Sequence, residues 1–381
     1  DEFAIAISDE GMGENAMRLA DLLAAAMDET ITIDGNELIS TISIGIALAP
    51  QHAALKQQLM SNADIALHVS KQAGQGRWTL FERGMDAELN DRHALTRDLR
   101  HAAARGELML YFQPLVDIET ETTTGYEALL RWQHPERGLV LPDLFVPLAE
   151  ETGLIVPIGE WVIRSALDQA ARWTGSETIA INLSPLQLGS ANLLPVLINA
   201  LAETGVDPAR VELEITESVL LHNSVANLEV LGRLHELGVK IALDDFGTGY
   251  ASLNYLLTFP FDKIKIDRRF ISDLATREES RAIVGAVIGL ANELGMCTIA
   301  EGVEARDQLD QLRALGCREV QGWLFGRALP PADYQAMATA LPVALPVSAA
   351  PLPQSRLRAA PAINGLRQIQ VRQFQFWFDC L

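Results

Sequence analysis

From residue 108 to about residue 340 the chain alternates between short apolar runs and amphipathic stretches of ten residues or more, and few folds can absorb that rhythm. The runs are Met109–Val116, Thr124–Trp132, Thr178–Leu183, Val211–Thr216, Lys240–Leu243, Lys263–Ile266, Cys297–Ala300 and Glu319–Leu324. Between them lie Glu160–Trp173, Ala191–Thr204, Ser224–Leu237, Glu278–Leu294 and Ala305–Leu315, whose apolar residues recur at the spacing of a helical face. Strands that alternate with helices pair in parallel, because each helix carries the chain back to the same end of the sheet. Eight runs in roughly 230 residues match a closed barrel better than an open sheet. The first two runs are joined only by the polar turn Glu119–Thr123. That link is too short for a crossover and predicts an antiparallel hairpin. The expected fold is therefore α/β, a TIM-like (β/α)8 barrel with one antiparallel strand, occupying residues 107–340.

The flanks read differently. Residues 83–106 are rich in charge, with leucines at 89, 95 and 99, the pattern of a connecting helix with one solvated face. Residues 1–82 mix the apolar runs Phe3–Ile7 and Thr41–Ile46 with helical stretches at Asn15–Met27 and Asn62–Gln72. Beyond residue 341 the rhythm stops. Five of the 17 prolines fall in the last 41 residues, so 341–381 is read as a Pro/Ala-rich tail of unknown role. Its end, Leu366–Phe378, alternates polar and apolar residues in the manner of a strand, and its arginines (356, 358, 367, 372) are read as those of a solvated linker. The chain opens on Asp1 with no signal-peptide pattern, as expected for part of a longer protein.

Composition narrows the functional classes. Apolar residues at 49% against 21% charged are enough for a sizeable core. Fifty acids against 30 bases leave a formal charge of −20, which argues against coating duplex nucleic acid. A phosphate-bearing small molecule is still open, since a metal held by carboxylates can supply positive charge. Three scattered cysteines make neither a disulfide framework nor a zinc site, and Cys297 and Cys317 read as packed thiols. No apolar run reaches about 18 residues, so no membrane segment is expected. Gly74-Gln-Gly76 reads as a turn, His134 as a loop or surface histidine, and Trp161 with Trp173 as core residues of one helix.

The chemistry lies at the strand ends. In a (β/α) barrel the groups at the C-terminal ends of the strands converge on one face. Here those ends carry Glu127, Asn182, Glu214, Asp244 with Asp245, Lys265, Glu301 and Gln321. Any one of the acids alone would read as a helix cap or a surface ion pair. Every strand from the second to the eighth contributing a polar group at the same end is a different matter. Carboxylates gathered in one cavity repel one another unless a cation sits among them. Oxygen donors with one carboxamide suit Mg²⁺ or Mn²⁺, and more than four acids invite two such ions.

At these residues the chain resembles the EAL-type cyclic di-GMP phosphodiesterases of bacterial second-messenger signalling. The likeness runs through Glu127-Ala-Leu-Leu-Arg131, Asn182-Leu-Ser-Pro185, Glu214-Ile-Thr-Glu217, Asp244-Asp-Phe-Gly-Thr-Gly249, Lys265-Ile-Asp267, Glu301-Gly-Val-Glu304 and Gln321-Gly-Trp-Leu-Phe325, with Trp323 where Tyr or Phe is common and Ala328 where Pro is common. The resemblance implies a first metal on Glu127, Asn182, Glu214 and Asp244, and a second on Asp244, Asp245 and Glu301. It implies catalytic roles for Lys265, Glu301 and Glu127. It places substrate contacts at Arg131, Gln321, Glu304 and Gln113, and a switch to the dimer interface at Glu217 and the Asp245–Ser252 loop. The implied reaction opens cyclic di-GMP to linear pGpG, with Mg²⁺ or Mn²⁺ as cofactor and Ca²⁺ inhibitory. A cytoplasmic homodimer formed through the barrel follows, its parent open to membrane anchoring upstream. The alternatives are a receptor that binds cyclic di-GMP or GTP without turnover, and a scaffold indifferent to the metal ligands. The completeness of the ligand set favours catalysis. Residues 1–82 resemble the C-terminal half of a GGDEF-type diguanylate cyclase domain, through Asp1-Glu-Phe3, Thr41-Ile-Ser-Ile-Gly45 and Ala63-Asp-Ile-Ala-Leu67 with Lys71 and Gly76-Arg77. His68 and Trp78 replace a usual Tyr and Asn, and a truncated α+β fragment of this kind is not expected to make cyclic di-GMP.

Overall fold

The computed structural model describes residues 3–7, 12–27, 31–33, 36–38, 41–72, 76–217, 219, 224–247, 256, 259–274 and 276–331. The tail 341–381, most of the Asp245–Ser252 loop and part of the Gly74–Gly76 turn lie outside them. Two compact units divide the chain, the first reaching Ala94 and the second beginning at Leu95.

In the first unit, helix α1 (Met12–Met27) is followed by an antiparallel pair, β1 (Ile31–Ile33) and β2 (Asn36–Leu38). Strand β3 (Ile44–Ile46), helix α2 (Lys56–Gln72) and strand β4 (Trp78–Leu80) complete it, with β3 and β4 parallel. Gly45 lets β3 lie directly on α2, because a Cβ there would collide with the backbone of Ala63 and Leu67. The indole of Trp78 donates to Asp21 Oδ1 at 2.7 Å, tying β4 to α1. Phe3–Ile7 forms no strand, and Phe3, Ile5 and Ile7 are exposed. Helix α3 (Met85–Ala102) runs through the stretch read as a connecting helix, and Leu95, Leu99 and Ala102 on it are buried.

The second unit is a closed barrel. Its strands are β5 (Leu108–Asp117), β6 (Thr123–His134), β8 (Thr178–Asn182), β9 (Val211–Thr216), β10 (Lys240–Phe246), β11 (Lys263–Ile266), β12 (Cys297–Ala300) and β13 (Glu319–Val320). The pairs from β6 through β8 to β13 are all parallel. Strand β5 pairs antiparallel with β6 on one side and with β13 on the other, and so closes the ring. The expected single antiparallel strand is thus β5. Larger buried side chains such as Phe112, Trp132, Phe145, Ile163 and Leu167 pack in the layer between strands and helices.

Three details depart from expectation. The last run, Glu319–Leu324, is strand only to Val320. At Gly322 the chain presses onto the backbone of Val303 and turns, closing with Phe325 N–H to Gly322 O at 3.1 Å. A short strand, β7 (Gly138–Val140), adds antiparallel to the end of β6. His134 is buried, not on the surface. Its Nδ1 accepts the backbone N–H groups of Glu136 and Arg137, and its ring lies 5.0 Å from that of Trp132. The cysteines match expectation, since burial pushes the thiols of Cys297 and Cys317 up to about 12 and 11.

At the N-terminal end of the strands the barrel is closed by charge. The Lys263 ammonium sits 2.8 Å from Glu212 and 2.6 Å from Glu319, all three buried or nearly so. Glu319 also accepts the Thr124 hydroxyl at 2.8 Å. Burial alone would lower the Lys263 pKa, but the facing carboxylates outweigh it and hold it above the ordinary lysine range. Removing one partner from such a cluster strands the others, at a cost of about 3–5 kcal/mol. Lys263→Met should therefore lower the unfolding free energy by roughly that amount in denaturant titration. Adding Glu212→Gln to it should recover part of the loss, and a neutral Lys263→Met would mean that the cluster contributes nothing.

Candidate functional site

Side chains two residues apart on a strand share a face. Moving up from the lower cluster, Glu212 leads to Glu214 on β9, Lys263 to Lys265 on β11, and Glu319 to Gln321 just beyond β13. Leu115, Ala180 and Ile299 form a small buried cluster on the same inward faces, two residues short of Gln113, Asn182 and Glu301. The barrel lumen is thus polar at both ends with a thin apolar layer between.

The upper end centres on Lys265, which is 1% exposed. Its ammonium lies 2.7 Å from Glu301, 2.9 Å from Glu214, 3.3 Å from Asp244 and 3.8 Å from Glu127. Burial would discharge it, but the surrounding carboxylates outweigh burial and raise its pKa well above the usual lysine range. Glu127 accepts from Asn182 Nδ2 at 2.7 Å and from Gln321 Nε2 at 2.6 Å. Burial pushes Glu127 up, yet Lys265 and these donors hold it below its ordinary value. Glu214 goes the other way. Burial, and then the facing carboxylates Glu127, Asp244 and Glu212, drive it well above the carboxylate range in spite of Lys265.

Asp244 and Asp245 are consecutive, and in a regular strand they would face opposite sides. The pairing of β10 with β11 slips between Leu243 and Phe246, and Asp245 takes a left-handed conformation with φ 54°. The bulge turns both carboxylates the same way. One oxygen from each of Asp244, Asp245 and Glu301 then lies within 4.8 Å of the others. Burial, followed by Asp244 and Asp267, pushes Asp245 up to about 6, and burial raises Glu301 to about 7.

Asp267 was not among the residues singled out. Its carboxylate caps the short helix α4 (Arg268–Ser272), accepting Arg269 N–H at 2.8 Å and Arg269 Nε–H at 2.9 Å, and it shares a hydrogen bond with Asp245. The two-residue offset from Lys265 was the available signal.

The remaining candidates are spread around this centre. Gln321 Nε2 also reaches Gln113 Oε1 at 3.1 Å, and Gln113 Nε2 donates to Gly326 O at 3.2 Å. Arg131 stands four residues beyond Glu127 on β6, its guanidinium 5.5 Å from the Tyr111 ring centroid and bonded to Leu130 O at 2.9 Å. Glu217, buried beyond β9, accepts Gly247 N–H at 2.7 Å and so joins the ends of β9 and β10. Glu304 is exposed, and among the described residues its carboxylate makes no hydrogen bond to the cluster.

Glu127, Glu214, Asp244, Asp245 and Glu301 gather around one ammonium. Glu214 Oε1 and Gln321 Oε1 are buried with no hydrogen-bond partner among the described residues. Orphaned oxygens and surplus negative charge in an all-oxygen donor set fit a hard divalent cation. The acidic cluster can therefore hold metal.

Comparison with known proteins bears on the same residues. The EAL domain model matches residues 96–328, and the model described as diguanylate cyclase, GGDEF domain, matches residues 1–77. The bifunctional diguanylate cyclase/cyclic di-GMP phosphodiesterase MucR of Pseudomonas aeruginosa is 41% identical over 334 residues, which cover 87% of this chain and 49% of that protein. The solved PaMucR phosphodiesterase in its c-di-GMP complex is 44% identical, with a TM-score of 0.61 over 63% of this chain and 99% of that one. The manganese/c-di-GMP complex of Klebsiella pneumoniae BlrP1 is 30% identical, with a TM-score of 0.54 over 59% and 56% of the two chains. The chain spans less than half the length of the curated relatives it matches most strongly.

Metal binding requires Asp245 and Glu301 to be ionised, and in the metal-free chain they hold their protons up to about pH 6 and 7. A divalent ion must displace those protons, so affinity should fall as pH drops from 8 through 7 and 6, with proton release on binding. Mn²⁺ titration calorimetry at these pH values, in buffers of different ionisation enthalpy, measures both. A pH-independent affinity without proton release would contradict the site as described.

Proposed function

This chain belongs to the EAL domain family, and we propose that it hydrolyses cyclic di-GMP to linear pGpG with two divalent ions, Mg²⁺ or Mn²⁺, bound at the upper end of the barrel. The observation that carries the proposal is the Lys265 ammonium held within 4 Å of four carboxylates, with Asp245 beside them, at the C-terminal ends of the strands. Related structures support the substrate and ion class, since PaMucR was solved in complex with c-di-GMP and BlrP1 with manganese and with calcium.

Glu127, Asn182, Glu214 and Asp244 would hold one ion, and Asp244, Asp245 and Glu301 the other. Asp267 shares a hydrogen bond with Asp245 only while one of the two is protonated, so an ion bound at Asp245 would displace that proton. When bound, the ions would supply Lewis-acid charge to the entering and leaving oxygens of the phosphodiester. Arg131 would grip a substrate phosphate, with Gln113 and Glu304 flanking the bound nucleotide. Gln321, fixed by Glu127 and Gln113, would order the attacking water through its free Oε1. Lys265 steadies the negative charge that builds on the phosphoryl oxygens. Glu301, ionised once the ions are bound, would orient the attacking water and take up its proton. One water is consumed, one P–O bond breaks, and the ring opens.

The architecture proposed with this activity assigns 1–82 to the C-terminal part of a GGDEF domain, 83–106 to a linker helix and 107–340 to the phosphodiesterase. A homodimer through the barrel, with Glu217 and the loop after Asp245 relaying its state to the site, and a cytoplasmic setting belong to the same proposal. No helix among the described residues is long and apolar enough to cross a membrane.

Full-length chain with Mn²⁺ should convert cyclic di-GMP to pGpG, and EDTA should stop it. Binding without turnover would indicate a receptor. Glu127→Ala should lower kcat at least 10³-fold by removing a metal ligand that also orients Gln321. Ca²⁺, larger and less strict in its coordination, should suppress turnover when it replaces Mn²⁺. Retained activity in Glu127→Ala would sink the two-ion assignment.

A further inference from the structure

The polar cluster accounts for the phosphodiester but offers the bases of the substrate no stacking surface, and one side chain at the same end of the barrel is suited to that role. We propose that Trp323 is the stacking platform for a guanine of the substrate, an inference that rests on the cyclic di-GMP reading above. Trp323 is 58% exposed, and it is the exposed aromatic residue of the second unit among the described residues. It stands two residues past Gln321, in the tight turn that follows β13.

That turn is held on both sides. Gly322 lies against the backbone of Val303, Leu324 N–H donates to Val303 O at 3.1 Å, and Gly326 N–H donates to Gly322 O at 3.2 Å. Leu324 and Phe325 pack inward against buried residues, so the residue before them is left facing out. The two ends of the turn are tied to the site itself, Gln321 by Glu127 and Gly326 O by Gln113. The indole is thereby carried on a rigid turn beside the residues that would flank the reacting phosphate.

Arg327 completes the arrangement. Its guanidinium lies 4.4 Å from the Trp323 ring centroid, covering one face and leaving the ring free to stack on the other. It also brings positive charge to a mouth otherwise dominated by carboxylates, which favours approach of a dinucleotide carrying two phosphates. Stacking on an aromatic ring holds any base through its π-face, and losing such a ring typically weakens binding by about tenfold or more. A ring that stacks equally on the base in the ground and transition states contributes uniform binding, which moves KM and leaves kcat.

The test is steady-state hydrolysis of cyclic di-GMP by the full-length chain with Mn²⁺. Trp323→Ala should raise KM about tenfold or more with kcat within about twofold. Its Mn²⁺ activation constant should match the wild type, and Trp323→Phe should restore most of the loss. An unchanged KM in Trp323→Ala, or a Phe variant no better than the Ala variant, would overturn the assignment. If the wild type binds but does not cleave, the same comparison is made on Kd by calorimetry, and an unchanged Kd is equally fatal. A wild type that neither binds nor cleaves defeats the cyclic di-GMP reading itself, which the variants do not touch.

Discussion

The upper half of this barrel depends on a buried ammonium surrounded by carboxylates. Lys265 is 1% exposed and has four acidic side chains within 4 Å. Bringing strand ends together in a (β/α) barrel necessarily brings their terminal side chains together. When those side chains are acids the fold meets mutual repulsion at the place where it converges. Lys265 offsets part of this, while burial and the facing carboxylates drive the Glu214 carboxyl well above its usual range. What is left is an all-oxygen cluster with more carboxylates than one ammonium can neutralise.

Much of this was legible from residue order. The strand–helix rhythm gave the barrel, and the five-residue link Glu119–Thr123 gave the antiparallel β5. The polar residue at the end of each strand from the second to the eighth placed Glu127, Asn182, Glu214, Asp244, Lys265, Glu301 and Gln321 on one face. Other features depend on tertiary contacts that local pattern does not encode. The run Glu319–Leu324 is apolar enough for a longer strand, but Gly322 against Val303 ends it after Val320. His134 looked like a loop residue because its burial comes from Trp132 and two backbone N–H donors beyond the end of β6. Asp267 caps the helix that follows it. Its second role appears only because the bulge at Asp245 swings a carboxylate toward it.

That bulge illustrates how local strain serves the site. Two adjacent acids on a regular strand can deliver only one carboxylate to the lumen. A left-handed Asp245 costs backbone energy, on the order of 1 kcal/mol or more for a residue with a Cβ. The fold accepts it where the ladder between β10 and β11 is already slipping, so the cost and the gain fall at the same place. The hydrogen bond from Asp245 N–H to Asp244 Oδ1 at 2.8 Å then locks the pair. Ordinary strand alternation could not have produced the Asp244, Asp245 and Glu301 triad.

The two ends of the lumen show how one chemistry can serve two purposes. At the N-terminal end Lys263 meets Glu212 and Glu319, and Glu319 is further satisfied by Thr124, so both named carboxylates are held by a single ammonium. At the C-terminal end Lys265 faces four carboxylates within 4 Å, against two around Lys263. The residue types are the same and the strands are the same, offset by one inward position. A nearly balanced cluster is a structural plug, because any cation entering would have to displace Lys263 from its partners. An unbalanced cluster is a binding site, because a cation entering relieves repulsion already present. The thin apolar layer of Leu115, Ala180 and Ile299 separates the two and lets each keep its own charge balance. The distinction between holding the barrel together and doing chemistry in it is therefore carried by the ratio of carboxylates to ammonium at each end, and not by the presence of buried charge as such.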